Sequence, residues 1–281
     1  MREQAIQDNQ MAGLARSDVF EQQAKAVTEH ACAVRSTGTV VVGRKMQIKA
    51  LGLLIGLLGV TGLSVAAEAQ AQSIPEIAPI SSIPAGQTYG RWAAEWWQWA
   101  LGVPAERNPV LDTTGEFCAE RQVDEVWFLA GSFSSDPVVR ACQVPAGKSL
   151  FFPLITIGYF AFLNDPPETR TEEFVRMAGS CTEPARISVA IDGFDIPNPT
   201  MFFTGPSGSQ SPIFNVQMPP HNVFGGDIPE FVASPSAEQG YYLFVRPLPP
   251  GFHTIKWRAV GCARTDHASF FQDITYNLRM R

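Results

Sequence analysis

Trp92, Trp96, Trp97 and Trp99, four of the chain's six tryptophans, crowd into the stretch TYGRWAAEWWQWALGVP at residues 88–104. At helical spacing Trp92, Trp96 and Trp99 form one stripe, with Ala93, Trp97, Ala100 and Leu101 beside it. Arg91 and Glu95 stand four apart and can pair on the remaining face. Gly102 and Pro104 end the helix. Each indole removes roughly 150–250 Å² from water when buried and needs a partner for its N–H. Such a helix must therefore lie on a large apolar surface. It either plugs or covers a β-sheet core, the commoner use of aromatic stripes, or presents Trp96 and Trp99 to a sugar ring or an acyl chain.

Upstream, RKMQIK at residues 44–49 is a basic n-region, residues 50–63 are an apolar run, and AEA and AQA at residues 67–71 offer small-residue cleavage sites. Together they read as a secretory signal peptide. The expected organisation has three parts. Residues 1–45 are a disordered, over-extended reading frame in front of Met46, residues 46–71 are the signal peptide, and residues 72–281 form one secreted or periplasmic domain. No membrane span is expected after cleavage. Beyond residue 71 the chain holds 14 basic and 21 acidic residues and no Lys/Arg cluster, which argues against nucleic acid as a partner. Cys118, Cys142, Cys181 and Cys262 remain, an even number that in an exported chain reads as two disulfides. Of the three connectivities, Cys118–Cys142 with Cys181–Cys262 is favoured. The spacings contain no CxxC and do not resemble a zinc site.

The remainder reads as β. Residues 126–130 and 149–157 are short apolar runs, the second interrupted by Pro153, as buried strands are. Thr169 with Glu172 matches a capping box and predicts a surface helix running to residue 180. Residues 187–191 lead into the hairpin signal Asp192-Gly193, with residues 196–203 as the return strand. Further strands are expected at 213–216 and 241–245. Residues 252–259 and 270–280 alternate apolar and polar, with His253 among the inward positions and Asp273 among the outward ones. Seven or more short strands between Pro/Gly turns predict a mainly β domain. Its expected form is a two-sheet antiparallel β-sandwich or jelly roll with the tryptophan helix and one small surface helix.

The ordered motifs NPVLDTTGEFC, VWFLAG, RACQVPAGKSLFFPL, YYLFVRPLPPGFHTIKW and DITYNLRM, following the tryptophan helix, resemble a family of uncharacterised secreted bacterial proteins. The resemblance spans about residues 88–280 and implies a secreted β protein, without carrying over any catalytic residue. In that pattern an acid precedes the glycine of the YYL motif. Here Gln239 stands there, with Glu238 one position earlier.

The chemistry is expected in loop carboxylates. No GxSxG elbow, HExxH pair or spare cysteine offers serine, zinc or thiol chemistry. His221, His253 and His267 follow no metal-hydrolase spacing. Asp112, Glu116 and Asp165 are the candidate catalytic acids, and Asp112, Asp165 and Asp227 the candidate ligands for a Ca²⁺ ion, which takes loop carboxylates and carbonyls. His221 joins Trp96 and Trp99 as a candidate substrate contact. These predict a secreted hydrolase of a small amphiphilic ester, lactone or glycoside, acting by carboxylate-assisted and possible Ca²⁺-assisted attack of water. The alternative is a non-catalytic secreted module that binds glycan or serves as a structural part of the cell envelope.

Overall fold

The computed structural model describes residues 74–281 except 123, 182–184, 207–208, 226–227 and 263–269, so the expected leader segments lie outside the described residues. Thr88 caps the tryptophan helix, α1 (Tyr89–Leu101), its hydroxyl accepting the Arg91 amide, and the helix ends at Gly102. Arg91 turns back to Gln87 rather than to Glu95, donating from Nε at 3.1 Å. Among the described residues no helix is long and apolar enough to cross a membrane.

The strands are β1 (Val126–Phe128), β2 (Val138–Val144), β3 (Ser149–Phe160), β4 (Arg186–Ile191), β5 (Phe194–Asp195), β6 (Phe214–Met218), β7 (Phe231–Val245), β8 (Gly251–Gly261) and β9 (Phe270–Met280). They form two sheets, ordered β1-β3-β7-β6 and β2-β9-β8-β4-β5. The expectation of wholly antiparallel sheets is corrected, because β1 runs parallel to β3 and β2 parallel to β9. The cause is connectivity. The chain leaves β1, lays β2 into the second sheet and returns as β3, a crossover that brings β3 back in the direction of β1.

Two strand boundaries also differ from the sequence reading. Pro153 does not break β3; the pairing with β7 shifts register between Pro153 and Ile155, and this bulge accommodates the missing N–H. β7 begins ten residues before the expected 241, and everything in it from Ser236 to Val245 is buried. A strand covered on both faces has no apolar–polar alternation to read. The expected return at residues 196–203 is only the two-residue β5, after which Phe203 bridges to Tyr241.

α1 lies on one face of the four-stranded sheet. Phe151 stacks on Tyr242 at 5.2 Å and 8°, Trp96 meets the Tyr242 ring edge-on at 6.4 Å, and Tyr89 and Trp92 pack on Phe244. On the other side Phe152 reaches Trp257 of the five-stranded sheet at 5.1 Å, and Trp257 stacks on Tyr276. The small helix, α2 (Glu172–Ala178), is capped by Thr171 rather than Thr169, whose hydroxyl is taken by the Pro166 carbonyl. Val175 packs with Ala161, just past the end of β3, and with Ala237 in the middle of β7. The disulfides are Cys118–Cys142 and Cys181–Cys262.

All four indoles of α1 are under 8% exposed, and each N–H has an acceptor: Pro84 O for Trp92, Leu129 O for Trp96, Thr156 Oγ1 for Trp97 and Glu120 O for Trp99. Trp96→Ala is expected to cost about 3–5 kcal/mol by loss of transfer energy and creation of a cavity. Urea denaturation measures it, and a loss below about 1 kcal/mol would contradict the core role.

Candidate functional site

The acids singled out from the sequence are largely engaged with the backbone. Asp112 accepts Thr114 N at 2.7 Å and Phe117 N at 2.9 Å, together with the Thr114 hydroxyl. Burial alone would raise its pKa, but these hydrogen bonds outweigh burial and hold the carboxyl below the usual carboxylate range. Glu116, in the same loop, is exposed. Asp165 accepts Phe162 N at 2.8 Å in the turn that follows β3. Asp227 and His267 lie outside the described residues. His221 is exposed, and its carbonyl accepts the Ala105 amide. Among the described residues no three Asp, Glu, His or Cys side chains gather into a set able to hold a metal ion. Trp96 and Trp99 lie in the core, 2% and 6% exposed.

His253 and Asp192 do come together. Nδ1 of His253 lies 2.6 Å from Asp192 Oδ2, its Nε2 lies 2.8 Å from the Pro249 carbonyl, and Asp192 Oδ1 accepts Thr254 N. Asp192, at φ 52 in the β4–β5 turn, thus ties that turn to β8 as well as shaping it.

The buried acid is Glu238, in β7 and 1% exposed. Residues 238, 240, 242 and 244 share the face of β7 that α1 covers. Tyr242 donates to Glu238 Oε2 at 2.8 Å, and its oxygen lies 2.6 Å from Thr156 Oγ1, which in turn accepts Trp97 Nε1 at 3.4 Å. With one proton per hydroxyl, donation runs from the Trp97 indole through Thr156 and Tyr242 to the carboxyl group, and each step polarises the next. Thr204, fully buried, adds a longer bond to Oε2 at 3.4 Å. Gly240 leaves the room for this, since a Cβ there would stand 2.5 Å from Thr156 Cβ. Glu238 Oε1 is buried without a hydrogen-bond partner. Burial raises the pKa of Glu238 to about 7 against four lesser hydrogen-bond contributions. Gln239 points to the opposite face, where Oε1 accepts Cys181 N. Sequence reasoning passed over Glu238, although the i, i+4 spacing of Glu238 and Tyr242 along a strand places them on one face.

The outer face of the five-stranded sheet is the other candidate. Phe252, Thr254, Lys256 and Arg258 of β8 are exposed, as are Asn277 and Arg279 of β9 and Arg186 of β4. Register sets Phe252 opposite Arg279 and Thr254 opposite Asn277. The Arg279 guanidinium stands 5.5 Å over the Phe252 ring. Arg258 pairs with Asp273, the position read as outward, which is 6% exposed. Compared with known proteins, the chain matches no family model, no curated protein and no solved structure.

Glu238 gives a pH prediction. Its folded pKa of about 7 exceeds its ordinary value of 4.5. Its contribution to stability is full below pH 4.5 and is lost as pH rises through about 7, for a total of roughly 3 kcal/mol. Thermal melts of wild type and Glu238→Gln between these limits and at pH 8 should diverge, the variant gaining on wild type as pH rises. A difference constant with pH would refute the shift.

Proposed function

We propose that this chain is an exported, non-catalytic module that binds glycan through the outer face of the five-stranded sheet. The single observation that carries the reading is that face itself. Thr254, Lys256, Arg258, Asn277 and Arg279 are exposed along β8 and β9, and Phe252 is 79% exposed at one end. Exposed hydroxyl, amide and guanidinium groups hydrogen-bond sugar hydroxyls, and an aromatic ring packs against the apolar side of a sugar ring. Two disulfides suit an oxidising compartment outside the cytoplasm. This reading takes the two sheets as the layers of a sandwich, joined through Phe152 and Trp257, and takes the chain as a member of the secreted bacterial family its motifs resemble.

The hydrolase reading has one observation in its favour. A carboxyl group with a pKa of about 7 beside a tyrosine has the protonation that a general acid needs near neutrality. Glu238 is 1% exposed and in contact with Thr204 and Ser211, so it meets a substrate only if the packing around it opens. A panel of esters, acyl lactones and aryl glycosides, with and without chelator, tests this second reading; turnover abolished by Glu238→Gln would put it first.

For the binding reading, the full-length chain is expected to be retained on an array of neutral and acidic glycans. Phe252→Ala should weaken the best ligand roughly two- to tenfold, the scale of one aromatic contact, with an unchanged melting temperature. Retention unaffected by Phe252→Ala would move the site elsewhere.

A further inference from the structure

We infer that the ligand of this face is an extended glycan bearing carboxylates, an inference that rests on the glycan-binding reading above. The chain is acidic, with a net charge of −6, yet Arg186, Lys256, Arg258 and Arg279 all project from this one face. The acid among them, Asp273, is buried and already paired with Arg258. Asp195 stands apart at the far edge, on β5. The local field therefore opposes that of the whole molecule and selects for negative charge.

The shape of the basic patch narrows the partner. Phe252, Lys256 and Arg258 lie on one side of one strand, and register puts Arg279 beside the first of them and Ser188, two residues from Arg186, beside the last. The result is a stripe along β8, roughly 20 Å long at about 3.4 Å per residue. A stripe fits a linear polymer rather than a single small molecule. Arg258 is held by Asp273, and Arg186 and Arg279 carry planar forks that match carboxylates two bonds at a time. The one exposed ring on the stripe, Phe252, is too few for the successive base stacking by which single-stranded nucleic acid is held. Even with Val139 of β2, exposed on the same face opposite Thr275, it is too little apolar surface to anchor a helix-free face in a lipid bilayer. Asn277, between Arg279 and the middle of β9, supplies an uncharged donor and acceptor for hydroxyls.

The test is titration of the full-length chain with polygalacturonate, against dextran as the neutral polymer. Polygalacturonate is expected to bind more tightly than dextran and to weaken as salt is raised from about 0.05 to 0.5 M. Lys256→Glu combined with Arg279→Glu should weaken it at least about tenfold, while Lys256→Arg retains binding. Both sites are exposed, and an unchanged melting temperature in each variant certifies the fold. Equal binding of dextran, indifferent to charge reversal, would overturn the carboxylate inference and leave the glycan reading standing. Binding of a single-stranded oligonucleotide or of phosphatidylserine vesicles more tightly than polygalacturonate would overturn the choice of polymer. Absence of binding to any carbohydrate would remove both.

Discussion

The seating of α1 on the four-stranded sheet is the interaction on which the remaining structure depends. Burying one indole contributes roughly 4–6 kcal/mol of gross transfer energy as an upper bound, but only if its N–H finds an acceptor. The four acceptors come from four separate segments: the turn before the helix, the loop after β1, the middle of β3 and the loop holding Cys118. Seating the helix therefore orders those segments at the same time. Gly90 is part of the fit, because a Cβ there would come within 2.4 Å of the Gln210 backbone. At the same contact Ser209 Oγ accepts the Gly90 amide at 3.1 Å, and two residues on the Ser211 hydroxyl donates to the Glu238 carbonyl.

Two buried ionisable groups are accommodated in contrasting ways. Arg140, 1% exposed, has no carboxylate partner among its bonds; it donates to the carbonyls of Asp112, Ala130 and Gly131 and to the Tyr276 hydroxyl. A guanidinium cannot shed its proton, so burial demands a full set of acceptors. Those carbonyls belong to the Asp112 loop and the segment after β1, and the arginine draws both against the five-stranded sheet. Glu238 has only neutral hydroxyl donors and one oxygen without a partner. A carboxyl group can take up a proton instead, which is the cheaper response in that setting.

The two sheets differ in what covers them. The four-stranded sheet has α1 on one face and, at one end of the other, α2, with the second sheet meeting it through Phe152. The five-stranded sheet turns Trp257, Ile274, Tyr276 and Leu278 inward and leaves the opposite face exposed. One packed face and one solvated face is the ordinary condition of antiparallel strands. The charged and polar groups of the interior are largely engaged in holding it, and the open face of the five-stranded sheet is left to solvent.

What could be read from the residues alone was whatever depends on local spacing. The period of the tryptophans placed α1, and the alternation at 252–259 and 270–280 placed β8 and β9 with the correct faces. The favoured disulfide pairing is the one present. Tertiary structure decided the remainder, because it depends on which distant segments meet. The parallel pairings, the full length of β7, the strand at 138–144 and the return at 194–195 are set by partners far along the chain. The same holds for chemistry. Asp112 and Asp165 looked available as loop acids, but their amide partners fold back only once the loops are closed. Glu238 looked like one more strand residue, and its altered pKa arises from a helix, two strands and a loop that bury it together. Periodicity along a chain reports which side of an element is apolar; only packing determines what lies against that side.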